Sequence, residues 1–179
     1  STKGRRTDGR NLVTEWSSTR GALGSTAYAW NKAQFDAVDP ASTRYLLGLF
    51  EPSHVQYEAD KAVDPAGEPT LTEMTDKSLR MLMNDPKGFF LHVEGGRIDH
   101  AHHAGNAKRA LIETIEFSNA IQRTVDLLQA AGAITQTTGG QDNYVGVVAR
   151  IPLFSAVELD KERERETQRR KTIADAVGI

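Results

Sequence analysis

Apolar and polar positions divide this chain into short blocks whose period keeps changing. Residues 1–26 are polar and glycine-rich, with one helical candidate where Leu12, Val13 and Trp16 fall at i, i+1 and i+4. An apolar run over residues 27–30 leads into Asn31, a suitable N-cap for a brief helix through Phe35 that ends before Asp39-Pro40. Tyr45-Leu46-Leu47-Gly48-Leu49-Phe50 has the length and composition of a buried strand and stops at Glu51-Pro52. Residues 53–69 turn polar and carry four acids, a long connection that points to a functional or ligand-ordered loop. Thr70 and Glu73 then form a capping-box pattern, and Leu71, Met74, Met81 and Leu82 share a helical stripe that ends near Asn84-Asp85-Pro86.

The next block is the clearest. Phe89-Phe90-Leu91-His92-Val93 reads as a buried strand, residues 94–103 as a turn dense in charge, and Ala107, Leu111, Ile115, Ser118, Ile121, Val125 and Leu128 mark a long helix. Strand, turn and long helix in succession predict an α/β fold, in which ligands sit beyond the carboxyl ends of the strands. After Leu128 the character changes. Residues 132–146 are rich in Gly, Thr and Gln, an apolar run over 145–154 is broken by Arg150 and Pro152, and 158–171 is a charge-dense stretch. Its Glu158–Lys161, Asp160–Arg163, Glu162–Arg165 and Glu166–Arg170 pairs suit a solvated helix. Two parts are expected, residues 1–129 and 130–179.

Composition narrows the chemistry. The 179 residues have the length of one ordinary domain, and 39% hydrophobic with 26% charged residues is the range of water-soluble globular chains. Lysine and arginine total 22 against 24 acids, a net charge of −2, so there is no basic field to gather nucleic acid. The chain has no cysteine, which excludes disulfides, thiolate metal sites and thiol catalysis and leaves oxygen and imidazole to do the chemistry. No apolar stretch approaches the roughly 18 residues of a membrane span, and Ser1-Thr2-Lys3-Gly4-Arg5-Arg6 has no apolar signal core behind it. The sequence does not start with methionine, so a processed product or a piece of something longer is expected.

Three of the five histidines, His100, His102 and His103, fall within four residues, just after Glu94 and Asp99. Asp99 and His103 are four apart, so on a helical turn both project from one face, and carboxylate with imidazole is a normal Zn²⁺ ligand set. Glu94 reaches the same crevice from the end of the expected strand and, as a hard oxygen ligand, suits Mg²⁺. Gly95 and Gly96 would allow the sharp change of direction between that strand and the helix after it. Spacing alone also fits helix capping and mutual pairing of His with Asp. The His-x-His-x-Asp-His order of binuclear hydrolases is not met, because Asp99 precedes the histidines.

Residues 89–103, followed by Arg109-Ala110-Leu111 and Glu113-Thr114, closely resemble the central metal-binding segment of the alkaline phosphatases, animal-like ones especially. Asp8-Gly9-Arg10-Asn11-Leu12-Val13-Thr14-Glu15-Trp16, Ala29-Trp30-Asn31, Gly48-Leu49-Phe50-Glu51-Pro52 and Leu71-Thr72-Glu73-Met74-Thr75 resemble successive segments of that family in the right order, up to about residue 128. The resemblance implies part of a three-layer α/β sandwich with a mostly parallel sheet. It implies Glu94 as a magnesium ligand and Asp99 and His103 as ligands of the first zinc. His100 and His102 would sit behind these ligands. The carbonyl of Phe50 with Glu51 and Glu68 would form a peripheral Ca²⁺ site, for which oxygen-only ligands are suited, although an acidic loop is also ordinary solvated surface. In these enzymes a serine attacks the phosphoryl group of a phosphate monoester and is released by metal-activated water. The resemblance further implies an exported, periplasmic or extracellular homodimer that binds phosphate monoesters or inorganic phosphate.

The chain also departs from the family pattern. No Asp-Ser pair supplies the nucleophile, no Thr-Ala-Asp-His segment completes the second zinc site, and no histidine follows His103. Thr138-Gly139-Gly140-Gln141-Asp142 resembles the family's late His-Gly-Gly-Glu-Asp loop with Thr138 in the place of the histidine. Two protein ligands to zinc and no nucleophile make these 179 residues catalytically incomplete on their own. The first expectation is therefore a segment of a metal-dependent phosphomonoesterase. The alternative is a non-catalytic truncated protein that binds metal or a partner. Zinc held by imidazole implies weaker binding in acid, because the ligand must be neutral.

Overall fold

The computed structural model describes residues 6–133. The loop at 138–142, the apolar run at 145–154 and the charged stretch at 158–171 lie outside the described residues. The chain opens with α1 (Leu12–Gly21), capped by the side chain of Asn11, and continues through β1 (Thr26–Ala29), α2 (Lys32–Asp36) and β2 (Tyr45–Gly48). The expected cap at Asn31 is present: its side chain accepts from the Gln34 N–H at 2.8 Å. β1 and β2 pair in parallel, Thr26 opposite Tyr45 and Ala29 opposite Gly48, and α2 lies in the connection that parallel pairing requires. A short 3-10 helix (Glu58–Val63) orders the polar loop before α3 (Leu71–Leu82), α4 (Gly96–His103) and α5 (Ala107–Ala130). Helices around a parallel strand pair bear out the α/β class.

Residues 89–93 do not form the expected strand. A strand needs a neighbour to satisfy its N–H and C=O groups, and among the described residues only β1 and β2 are paired. Phe90 accordingly lies 87% exposed. The apolar stripe expected on α5 is also displaced. Of that stripe Leu128 is buried, but Leu111 and Ile115 are 65% and 59% exposed, and the other buried apolar positions are Ala110, Phe117 and Ala120, around the helix from them. They pack with Leu79 of α3 and with Ile98 and Ala101 of α4 to form the main core.

Polar contacts fix how the helices sit. The capping box is complete, Thr70 accepting from the Glu73 N–H and Glu73 accepting from the Thr70 N–H. Glu116, 9% exposed on α5, accepts from the Thr72 N–H at 2.8 Å and so caps α3 from a neighbouring helix. Lys77 of α3 donates to the carbonyls of Phe35 and Val38 at 2.6 and 2.8 Å, satisfying the C-terminal end of α2. Asp76 joins α3 to α5, accepting from Arg80 Nε at 2.8 Å and Arg123 Nε at 2.6 Å. Burial raises the Asp76 carboxyl, but the two arginines outweigh it and hold it below the ordinary value of 3.8. A carboxyl lowered in the folded state contributes stability above its unfolded value and loses it as the pH falls through the folded one. Asp76→Asn should therefore lower unfolding stability by about 1 kcal/mol at pH 7. In urea titrations the gap to the unsubstituted chain should close in acid; a gap that persists there would show that lost packing, not charge, is responsible.

Candidate metal centre

α4 begins where α5 allows it to. Gly95 is buried, and a Cβ at this position would stand 3.1 Å from Ile98 Cδ1 and 3.3 Å from Phe117 Cγ. Gly95 thus serves a close approach to α5. Its φ of −85° is open to any residue, so the expectation that glycine is needed for the change of direction is corrected to a packing requirement. Gly96 does not share it, because a Cβ there would meet Glu94 Oε1 at an ordinary 3.6 Å.

One helical turn then places Asp99 Oδ2 and His103 Nε2 3.4 Å apart, with side chains 49% and 64% exposed. Two ligands at about 2.0–2.2 Å on a tetrahedral Zn²⁺ stand about 3.3–3.5 Å from each other, so the pair fits two corners of such a site as it stands. Glu94 is exposed at the mouth of the same turn, and with Asp99 and His103 it does not close into a group of three ligand atoms within 4.8 Å. His100 is half-buried. Its Nδ1 is 3.1 Å from Arg97 Nη1 and its ring is 4.2 Å from that of His54; burial, then the neighbouring His54 and Arg97, lower its pKa. His102 is half-buried on the same helix.

A cleft of about 370 Å³ opens beside the turn, and its lining includes Glu94, Arg97, His100, Glu58, Lys61 and Glu113. Glu113 accepts from the Glu58 N–H at 2.6 Å, fastening the 3-10 helix to α5, and burial raises its carboxyl above the ordinary range. It gave no signal in the sequence beyond its place in the family segment.

The polar loop gathers Glu51, Asp64 and Glu68, each offering a carboxylate oxygen within 4.8 Å of the others. Glu51 and Glu68 were expected there from the family resemblance; Asp64, which follows the 3-10 helix, was not. Glu68 is 6% exposed; its Oε1 accepts from the Gln56 N–H at 2.6 Å, while Oε2 is buried without a hydrogen-bond partner among the described residues. Burial, reinforced by Glu51 and Asp64, raises its carboxyl. A buried carboxylate grouped with two more carboxylates suits a hard cation. Phe50, beside Glu51, is anchored by an edge-on contact with Phe35 at 5.7 Å.

The sequence profile of the alkaline phosphatase family matches residues 1–166. This chain belongs to that family. As an alkaline phosphatase segment it is 43% identical over 136 residues to the tissue-nonspecific isozyme of Rattus norvegicus, covering 76% of this chain and 26% of the relative. It is 45% identical over 138 residues to the membrane-bound alkaline phosphatase of Bombyx mori, covering 76% and 25%. The Gallus gallus tissue-nonspecific isozyme aligns over 168 residues at 44% identity, covering 92% of this chain and 32% of the relative. The chain therefore spans about a quarter to a third of the length of these relatives. Among solved structures, the alkaline phosphatases of Thermus thermophilus (TM-score 0.57, 31% identity, 71% of this chain and 24% of that one) and of a Shewanella species (TM-score 0.53, 27% identity, 72% and 29%) share the fold. The profile match runs past residue 129 and takes in Thr138 to Asp142. No helix among the described residues is long and apolar enough to cross a membrane.

Proposed function

We propose that the protein carrying these residues hydrolyses phosphate monoesters, with Asp99 and His103 as zinc ligands, Glu94 as a magnesium ligand, and the Phe50 carbonyl, Glu51 and Glu68 as ligands of Ca²⁺. The observation that carries the reading is the 3.4 Å separation of Asp99 Oδ2 and His103 Nε2 across one exposed helical turn, in a chain of the alkaline phosphatase family. When bound, the metals supply positive charge for the phosphoryl oxygens and a water of lowered pKa. The chain's own residues hold that arrangement. α4 presents both ligands from one face, Phe117 and Ile98 seat the helix, and Arg97 and His100 line the cleft beside them. The serine nucleophile of the family pattern has no Asp-Ser counterpart in these 179 residues. Export and a homodimeric state belong to the same proposal and rest on family membership. Loaded with Zn²⁺ and Mg²⁺, the intact protein should release phosphate from an aryl phosphate at alkaline pH and stop when a chelator removes the metal. Turnover that survives chelation would overturn the proposal.

A further inference from the structure

Residues 54–57 touch the metal-binding turn at two points and the carboxylate cluster at a third. The His54 ring lies 4.2 Å from the His100 ring. The Arg97 guanidinium lies 3.6 Å from the centre of the Tyr57 ring, and Arg109, paired with Asp60 at 2.7 Å, lies 4.5 Å from the same ring. Arg97 and His100 are one turn apart on α4, and Arg97 Nη1 is 3.1 Å from His100 Nδ1, so the two contacts land on a pair that already interacts. Between His54 and Tyr57, Gln56 is held by the cluster: its N–H donates to Glu68 Oε1 at 2.6 Å and its side-chain amide to Glu51 Oε1 at 3.4 Å. Among the described residues Glu68 leaves its second oxygen buried without a hydrogen-bond partner, which is the polar atom a cation would satisfy.

We propose that His54 and Tyr57 are positioning residues for the zinc-binding turn, and that a divalent cation held by Glu51, Asp64 and Glu68 sets their position through Gln56. The inference rests on the calcium reading above, adds Asp64 to it, and gives the cation a regulatory consequence. Three carboxylates brought together repel one another unless a cation neutralises them. Drawing them in carries Glu51 and Glu68 with it, and Gln56, hydrogen-bonded to both, moves as they do. Its neighbours two residues before and one residue after then press on His100 and Arg97. Because coupling between two sites is reciprocal, Ca²⁺ must raise the affinity for Zn²⁺ by the factor that Zn²⁺ raises it for Ca²⁺.

The test uses the intact protein with ¹³C-labelled histidine rings. Ca²⁺ alone should shift the His54 and His100 ring resonances, assigned by their loss in His54→Phe and His100→Gln, and leave exposed His92 in place. Isothermal titration should show Zn²⁺ binding tightened about fivefold or more by Ca²⁺, the lower end of usual coupling. Glu68→Gln should abolish both effects together with Tb³⁺ luminescence at the cluster. The double variant His54→Ala/Tyr57→Leu should keep Tb³⁺ binding and lose the coupling, and His54→Phe/Tyr57→Phe, which restores both rings, should recover it. Tb³⁺ binding that Glu68→Gln does not weaken overturns the calcium reading and the coupling with it. Cation binding with still rings and an unchanged zinc affinity, or coupling that survives in the Ala/Leu variant, overturns the coupling alone.

Discussion

Replacing Phe117 with alanine should cost about 3–5 kcal/mol of unfolding free energy, about a fifth or more of what holds a typical domain together. Phe117 is 3% exposed on α5, and its side chain forms the floor on which Gly95 rests at the start of α4. Gly95 has no side chain to fill the vacated volume, so the loss combines the transfer of the ring with a cavity that relaxes poorly. Leu111→Ala, on the same helix but 65% exposed, should stay within about 0.5 kcal/mol of the unsubstituted protein. Urea denaturation of the two variants checks this. Equal effects would mean that the buried face of α5 is not the one described.

The second large effect concerns zinc. Asp99→Asn and His103→Ala should each weaken Zn²⁺ binding by more than the roughly 10–100-fold typical of losing a residue that only supports a ligand. The double variant should bind little worse than either single one, because removing one arm of a two-point chelate already leaves the other holding the ion alone. His92→Ala, exposed and outside α4, should bind as the unsubstituted protein does. Equilibrium dialysis with Zn²⁺ measures all four. A His103→Ala protein within a few-fold of the unsubstituted affinity would show that the 3.4 Å contact with Asp99 is an ordinary ion pair across a helical turn.

What was legible in the sequence was local. Asn31, Thr70 and Glu73 announce helix starts because their hydrogen-bond partners lie three residues away, and all three act as expected. Asp99 and His103 meet because four residues are one helical turn. The failures share a different cause. Residues 89–93 are apolar enough for a strand, but composition does not say whether a neighbouring strand is there to pair with. The stripe of Leu111 and Ile115 is as regular as the one that is buried; α3 and α4, packing on the other side, decide between them. Asp64 and Glu113 enter their sites through the fold of the 52–70 loop, and Glu116 is buried because it caps a helix far away in sequence. Family resemblance supplied the metal assignments that spacing left open.

The turn from Glu94 to His103 should bind metal. Anomalous diffraction at the zinc edge, from crystals of the intact protein grown with Zn²⁺, tests it most directly. A peak is expected about 2.0–2.2 Å from both Asp99 Oδ2 and His103 Nε2. Zinc bound elsewhere, with Asp99 and His103 turned into separate surroundings, would contradict it.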